Sequence, residues 1–364
     1  MGTTSTLSIP PLYCPIASAL HPNVDELNRD GLSWIARFMM FADRSAWDRY
    51  AAMNPGYLPG YVMPRAPRGK PLQVASNLLF WLWAYDDLEC DEVVGRKSVD
   101  DHILQLSDLA RVVETPDAPT PANPFLAALA DLRRQVSEVA SPVQVARWAS
   151  SMQAYFMANV AAAIQRIQGV VPTLDTYVAQ RIHSGAVKPT LMLLDVADGY
   201  EVPASELEAP AVWALNEMVC TLVGWDNDLL TYHKEVMRGG ADHNLVTVLA
   251  EAEGCSITDA VARSVQMREQ VMWLYLRLYD QVHATASPQL RRYLAGLSSW
   301  IRGHLDWGMT TIRYRDPEAG SDLPDSLAAA PEDVSTEPLP ISSVAWWWDT
   351  LDTARTPHAV GVGR

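Results

Sequence analysis

Apolar residues recur at intervals of three and four positions along most of this chain. The spacing is clear in the runs Leu32/Ile35/Ala36/Met39, Phe125/Leu126/Leu129/Leu132 and Trp273/Leu274/Leu276/Leu278. This interval places the apolar side chains on one face of an α-helix, where they pack against other helices. The pattern runs from Val24 almost to residue 315, and no convincing alternation with a period of two interrupts it. It therefore predicts an all-α protein without a sheet.

Breaks rich in proline and glycine divide the chain and set its expected domain boundaries. The breaks fall at residues 54–56, 64–71, 115–124, 169–172 and 199–203. Residues 1–22 contain four prolines and are expected to form an extended arm, and residues 23–315 to form one helical domain. From residue 316 to residue 364 the composition shifts to Asp, Glu, Pro, Ser and Ala, which predicts a flexible tail. The three tryptophans at 346–348 either fold back on the body or form an interaction surface.

Composition narrows the class of protein. The chain has 364 residues, of which 49% are hydrophobic and 20% charged, so it can bury a large core. A formal charge of −15 argues against nucleic-acid binding, which needs a basic face. No apolar run is long enough for a membrane span, no signal peptide is evident, and the four cysteines lack paired spacing. We therefore expect a cytoplasmic protein with reduced thiols, and the sequence leaves open whether it forms a homodimer.

Three oxygen-bearing side chains lie four residues apart in the second half of the chain. Asn227, Thr231 and Glu235 share one face of a helix at about 3.6 residues per turn. An amide oxygen, a hydroxyl and a carboxylate suit Mg²⁺, which shares its coordination shell with water and phosphate. Lys234 adds a positive charge for a phosphate oxygen. The alternative is a solvated polar helix face.

A second candidate site follows the apolar run from Leu78 to Tyr85. The run ends in five acids within seven residues, among them Asp86, Asp87 and Asp91. Neighbouring carboxylates repel one another, and a divalent cation removes that conflict. In so acidic a protein, metal ions are also the means of holding an anionic substrate. We predict that the two motifs face each other across a central cavity, although an acidic helix end can also be a plain solvated surface.

Part of the cavity lining can be predicted from the helix that leads into the acidic motif. Leu82 and Trp83 lie one turn before Asp86, and Leu79 lies one turn deeper. Aromatic residues at helical spacing are usually part of the core. In a cavity that holds a carbocation, the same rings would stabilise positive charge through their faces.

These motifs resemble those of bacterial class I terpene synthases over roughly residues 10–315. The acidic run is similar to the family's DDxx(x)D/E motif, and Asn227, Thr231 and Glu235 are similar to its NDxx(S/T)xxxE motif. Arg181 stands where the family has its diphosphate-sensing arginine, and Gly185 stands at the effector position. Arg313-Tyr314, preceded by Trp307, resembles the family's C-terminal RY pair. Ser184 departs from the acidic linker that the family often has between sensor and effector.

The resemblance implies a fold, a site and an activity. The fold is a single-domain α-helical bundle around a central cavity. The activity is metal-dependent ionisation of farnesyl or geranylgeranyl diphosphate and cyclisation of the carbocation, with three Mg²⁺ expected and Mn²⁺ as a substitute. The implied site comprises the metal ligands Asp86, Asp87, Asp91, Asn227, Thr231 and Glu235, the catalytic residues Arg181, Gly185, Arg313 and Tyr314, and the substrate-binding residues Arg181, Lys234, Arg313, Tyr314, Leu79, Leu82, Trp83 and Trp307.

Two rival functions remain open at this point. A chain-elongating prenyltransferase is also helical and depends on Mg²⁺, but it would need a second aspartate-rich motif where this chain has Asn227, Thr231 and Glu235. A helical binding protein without catalysis could use the tryptophans at 346–348 as a docking patch. The complete ligand sets of both motifs argue against this second rival.

Overall fold

The computed structural model describes residues 7–91, 99–118, 122–238, 241–315, 323–331 and 335–351, without the side chains of residues 89–91, 99 and 238. The α-helices of these ranges are α1 (Val24–Ala36), α2 (Arg44–Ala52), α3 (Tyr57–Val62), α4 (Lys70–Tyr85), α5 (Val99–Glu114), α6 (Pro124–Val139), α7 (Pro142–Gln168), α8 (Leu174–Ser184), α9 (Val187–Leu191), α10 (Leu194–Ala197), α11 (Ala204–Leu207), α12 (Pro210–Arg238), α13 (Leu245–Glu253), α14 (Ile257–Thr285), α15 (Pro288–Gly308) and α16 (Trp346–Asp349). Extended segments pair within these ranges only at one bridge, between Tyr13 and Ala328. The predicted all-α fold is confirmed.

Local sequence explains where several of these helices begin. Asn123, Ser141 and Ser287 each precede a proline, and each side chain accepts a hydrogen bond from a backbone N–H of the first turn. Such side chains satisfy donors that have no partner inside the helix, and proline at the first helical position has no N–H to satisfy. At α7 the Gln144 side chain also accepts from the Ser141 N–H, which completes a capping box.

The centre of the bundle is formed by helices that are buried on almost every side. Most of α4 is buried from Leu72 to Tyr85, and this explains why the run there is apolar rather than amphipathic. The helices α12 and α14 pack on each other along their length. Between them, Asp226 and Arg268 form an ion pair that is fully buried. None of the helices in the described ranges has the length and apolar character that crossing a bilayer requires.

The N-terminal arm lies against the body of the protein. Arg268 donates to the carbonyl of Tyr13, and Arg302 Nη1 donates to the carbonyl of Ile16 at 2.7 Å. The backbone N–H of Ala328 donates to the carbonyl of Leu12 at 3.1 Å. The arm and a segment beyond residue 315 are therefore fastened to each other as well as to the helices.

The C-terminal residues 335–351 differ from the flexible tail that composition predicted. Leu339, Ile341, Val344 and Trp347 are buried in the core. Trp347 Nε1 donates to Glu217 Oε2 on α12 at 2.9 Å. The physical reason is that a few apolar anchors can hold a segment whose average composition is polar and rich in proline. Of the two alternatives for the tryptophans, the structure shows the fold-back on the body.

This packing predicts that Trp347 contributes strongly to stability. Trp347→Ala should lower the free energy of unfolding by about 3–5 kcal/mol, because it removes a buried indole and leaves a cavity. Trp346, which is only partly buried, is the matched control, and Trp346→Ala should cost about 1 kcal/mol. Urea unfolding followed by circular dichroism measures both, and equal losses in the two variants would show that the segment is not anchored through Trp347.

Candidate active site

The acidic motif lies at the end of α4, where the helix widens into a π-helical turn, Asp86–Asp91. Such turns often occur at functional sites. Arg313 Nη2 donates to Asp86 Oδ2 at 2.8 Å, and Nη1 donates to Asp87. Lys234 Nζ lies 4.0 Å from Asp87 Oδ1. The two carboxylates thus face cations from α12 and from the segment after α15, across the space between the motifs. The Asp91 side chain lies outside the described residues, so its expected role stays a prediction.

The second motif lies on the face of α12 that points into the same space. Thr231 Oγ1 donates to Glu235 Oε1 at 2.5 Å, and Asn244 Nδ2 donates to Glu235 Oε2 at 3.0 Å. Asn227 Oδ1 accepts from Arg181 Nη2 at 2.8 Å. The side chains are thereby held in fixed positions with their oxygen atoms grouped. This oxygen-only donor set fits a hard divalent cation such as Mg²⁺.

No group of three or more His, Cys, Asp or Glu side chains is close enough to hold one metal ion within the described residues. This agrees with the composition of the two motifs. Of the α12 residues Asn227, Thr231 and Glu235, only Glu235 carries a carboxylate. The acidic motif includes Asp91, whose side chain lies outside the described residues. A metal here would depend on an amide and a hydroxyl oxygen as well as on carboxylates.

Asp228 is buried beside the α12 face that carries Asn227, Thr231 and Glu235, and it holds three elements together. Its carboxylate accepts hydrogen bonds from the Tyr177 hydroxyl, from Arg181 Nη2 at 2.6 Å and from the Leu245 N–H at 2.9 Å. Burial raises the pKa of the Asp228 carboxyl, and Arg181 opposes that shift. Burial disfavours the charge of Arg181 in turn, but the surrounding acidic groups, Asp228 foremost, together outweigh burial, so the Arg181 pKa lies above its ordinary value. We infer a charged pair that fixes the direction of the guanidinium.

The neighbourhood of Arg181 is tightly packed. A Cβ atom at Gly224 would lie 3.2 Å from the Arg181 Cγ and 3.3 Å from its Nε, so glycine is the residue that leaves room for the side chain. The backbone breaks just after Arg181: Gly185 ends α8, and Ala186 follows with φ 58° in the left-handed region. A non-glycine residue adopts that conformation at a cost that the surrounding packing must offset.

Tyr314 lies directly behind the second motif. Asn227 Nδ2 donates to the Tyr314 hydroxyl at 2.8 Å, and that hydroxyl lies 3.2 Å from His304 Nε2. Burial lowers the pKa of His304 to about 3, with Arg181 adding to the effect, so the imidazole is neutral. A neutral ring can accept a hydrogen bond from the Tyr314 hydroxyl through Nε2. The amide of Asn227 is therefore oriented by Arg181 on one atom and by Tyr314 on the other.

Two adjoining chambers share the residues Asp86, Arg181, Ser184 and Asn227. The polar chamber is lined in addition by Ala158, Asn159, Ala162, Arg166, Tyr177, Gln180, Asp228, Thr231, Lys234, Glu235, His243 and Arg313. The apolar chamber is lined in addition by Leu58, Leu79, Leu82, Trp83, Tyr155, Gly185, Ala186, Val187, Val223, Gly224, Trp300 and His304. The site therefore has a charged compartment directly continuous with an apolar one.

The structure brings most of the predicted residues into these chambers. Leu79, Leu82 and Trp83 line the apolar chamber as expected from their position on α4. Trp307 does not line either chamber; its ring lies 4.9 Å from that of Trp83 and supports it from behind. The guanidinium of Arg313 lies 4.4 Å from the Trp83 ring centroid. One aromatic side chain thus joins the charged compartment to the apolar one.

Residues 77–272 match the family described as terpene synthase family 2, C-terminal metal binding. The chain is 36% identical over 350 residues to a (+)-(1(10)E,4E,6S,7R)-germacradien-6-ol synthase of Streptomyces pratensis, which covers 95% of this chain and 98% of that one. This chain is a class I terpene synthase. Asp86, Asp87 and the α12 set all lie within the matched residues.

Two further proteins are similar to this terpene synthase over nearly its whole length. A (+)-T-muurolol synthase of Streptomyces clavuligerus, named as (2E,6E)-farnesyl diphosphate cyclizing, is 35% identical over 359 residues, covering 96% of this chain and 84% of that one. The crystal structure of the SVS_A2 protein from ancestral sequence reconstruction matches with a TM-score of 0.85 at 31% identity, covering 94% and 98% of the two chains. The predicted family, fold and enzyme class are confirmed.

Several residues of the terpene synthase site were not anticipated. Tyr155, Val223, Trp300 and His304 reach the apolar chamber from α7, α12 and α15. Their apolar and aromatic spacing indicated only a buried helix face. Asp228 was visible in the motif, but its role depends on a Tyr177 hydroxyl 51 positions away. Nothing in local spacing predicts such a contact.

The Asp228 contacts predict a structural role that contrasts with that of Asp87. Asp228→Ala should lower the free energy of unfolding by about 3–5 kcal/mol, because the buried Arg181 charge and two donors lose their partner. Asp87→Ala, at a partly exposed site, should change it by less than about 1 kcal/mol. Chemical denaturation of both variants tests the contrast. An Asp228→Ala variant as stable as the Asp87→Ala variant would contradict the buried network.

Proposed function

We propose that this terpene synthase ionises a linear prenyl diphosphate in the presence of Mg²⁺ and cyclises the carbocation to a terpene hydrocarbon or alcohol, releasing diphosphate. Farnesyl diphosphate is the preferred substrate, ahead of geranylgeranyl diphosphate. The single observation that carries the proposal is the continuity of the charged and apolar chambers at Asp86, Arg181 and Asn227. A substrate with a diphosphate head and a hydrocarbon tail matches such a division.

The charged chamber supports the binding of the diphosphate. We propose that Asp86, Asp87 and Asp91 hold Mg²⁺ on one side, and that Asn227, Thr231 and Glu235 hold it on the other. When bound, Mg²⁺ neutralises the charge that grows on the leaving diphosphate. Mn²⁺ is expected to substitute because its ligand preference is similar.

The cationic side chains of the chamber act on the same leaving group. Arg181, Lys234 and Arg313 donate charge-assisted hydrogen bonds to diphosphate oxygens, which favours departure of the anion. In the structure Arg313 pairs with Asp86 and Asp87. These carboxylates are also proposed metal ligands. A metal ion that binds them would therefore displace Arg313, which could then turn toward the substrate. Tyr314 orients Asn227, and Gly185 lies where the break after α8 meets the apolar chamber.

The apolar chamber supports cyclisation rather than hydrolysis. Leu79, Leu82 and Val223 surround the hydrocarbon chain and exclude water, so the cation meets its own double bonds. The faces of Trp83 and Trp300 stabilise positive charge. Trp307 keeps Trp83 in place. The neutral His304 adds no positive charge that would oppose the cation.

The preference for farnesyl diphosphate over geranylgeranyl diphosphate rests on similarity, and the preference for either over a C10 substrate rests on residues near the acidic motif. The T-muurolol synthase that is 35% identical to this chain is named for that substrate. The residues Leu82 and Ala84 near the acidic motif, together with few phenylalanines in the chain, favour a C15 or C20 substrate over a C10 one.

The decisive test is turnover with and without divalent metal. The protein should convert farnesyl diphosphate to a hydrocarbon or alcohol with Mg²⁺, detected by gas chromatography and mass spectrometry, and should lose this activity in excess chelator. Asp86→Ala and Asn227→Ala should each reduce turnover at least about 100-fold, because each removes a proposed metal ligand.

Unfolding measurements on the same variants provide the control. Asp86 is partly exposed, so Asp86→Ala should unfold within about 1 kcal/mol of the wild type. Full activity in chelator would overturn the metal-dependent mechanism. An Asp86→Ala variant that is inactive only because it is unfolded would assign that residue to the fold instead.

The position of Leu79 and Leu82 predicts control over the size and shape of the product. Leu79→Phe or Leu82→Phe should shrink the apolar chamber, shift the product mixture and reduce use of geranylgeranyl diphosphate more than farnesyl diphosphate. Leu104 on α5 is 64% exposed, so Leu104→Phe is a matched control that adds the same ring outside the site. Product profiles with geranyl, farnesyl and geranylgeranyl diphosphate measure the effect, and profiles identical to the control would show that neither leucine contacts substrate.

A further inference from the structure

A separate cavity of about 230 Å³ lies among α7, α9, α11 and α12. None of the residues that line it lines the charged or the apolar chamber. Most of the surface of its wall is apolar and comes from side chains such as Val143, Met192, Leu207 and Trp213, while polar residues, Lys188 among them, make up the other half of the lining. We call it the Lys188 cavity. A pocket that is mostly apolar with a few polar groups is the usual form of a small-molecule site.

Lys188 is an unusual residue to find in such a wall. It is one of four lysines in the chain, and its side chain is only 8% exposed. Its Nζ lies 4.0 Å from the centroid of the Trp213 ring. Among the described residues no hydrogen bond or salt bridge pairs this ammonium. A buried charge that lacks an anionic partner costs free energy, and the Trp213 ring face offsets only part of that cost.

The other charges around the cavity do not neutralise Lys188. Arg147 Nη2 pairs with both oxygens of Asp195, at 2.7 and 2.8 Å, so Asp195 is committed to Arg147. Glu208 lines the cavity at its exposed side and forms no salt bridge with Lys188. One positive charge therefore remains without a partner in an apolar recess.

The Trp213 ring is held in place rather than free to follow the lysine. Trp213 Nε1 donates to Glu217 Oε1 at 2.9 Å. The other oxygen of Glu217 accepts from Trp347 Nε1, also at 2.9 Å. The C-terminal segment thus fixes the aromatic wall of the cavity, so the recess is a built feature of the fold. Preformed walls reduce the entropy lost when a ligand binds.

We propose that the Lys188 cavity binds a small amphiphilic monocarboxylate, such as a medium-chain fatty acid. The carboxylate would pair with the Lys188 ammonium, which supplies the missing anion. The hydrocarbon part would lie against Trp213 and Leu207, removing apolar surface from water. This proposal does not rest on the proposed terpene cyclisation, because it concerns other residues and a different ligand.

Isothermal titration calorimetry on the full chain tests the proposal with octanoate as the probe. Saturating Mg²⁺ and inorganic diphosphate are included to fill the charged chamber and remove it as a competing anion site. We expect one octanoate per chain, with binding at least about tenfold weaker in Lys188→Met, since that variant removes a charge-assisted contact. Lys188→Arg should restore most of the affinity. Octylammonium, with the same tail and the opposite charge, should not bind.

Two further variants make the result decisive. Lys70→Met changes an exposed lysine that pairs with Glu138, so it controls for loss of positive charge and should bind octanoate as the wild type does. Leu207→Trp should fill the cavity while keeping Lys188, and should abolish binding even if Lys188→Met fails to fold. Absence of octanoate binding to the wild type, or equal affinity in Leu207→Trp, would overturn the proposal.

Discussion

The buried carboxylate of Asp228 is the contact on which the geometry of this site depends. It ties α12 to α8 through Tyr177 and Arg181, and to α13 through the N–H of Leu245. A buried charge is tolerated only where its hydrogen bonds and its counter-charge are complete, so these three elements keep one relative position. The same pairing directs Arg181 toward Asn227. The same interaction therefore orients Arg181, the proposed diphosphate sensor, and holds the three helices together.

Burial divides the carboxylates of the site into two kinds. Asp228 and its neighbour Asp226 are fully buried and each faces an arginine, Arg181 or Arg268. Asp86 and Asp87 are partly exposed and pair with Arg313, and Asp86 lines the charged chamber. Residues of one chemical type thus serve the fold on one helix and the proposed metal site on another. The buried carboxylates face Arg181 and Arg268, which are held in place by the fold. Asp86 and Asp87 face Arg313, which a metal ion is proposed to replace.

The sequence predicted what depends on local spacing and could not predict what depends on distant partners. The grouping of Asn227, Thr231 and Glu235 on one face of α12 followed from positions four apart, and the place of Leu79 and Leu82 in the apolar chamber followed from the direction of α4. The apolar chamber as a whole could not be predicted, because Trp300 approaches from another helix with only the pattern of a core residue. Composition did not indicate the buried residues within 335–351, since averaging over a polar segment hides a few apolar anchors such as Trp347.

The C-terminal segment of residues 335–351 is also linked, through a chain of contacts, to the wall of the apolar chamber. Trp347 fixes Glu217, Glu217 fixes Trp213, and the Trp213 ring contacts Lys188. The residue before Lys188 is Val187, which lines the apolar chamber. Because α9 is short and follows the left-handed turn at Ala186, it has little internal stability and must be held by its packing. The C-terminal segment therefore supports one wall of the proposed active site from the opposite side of α9.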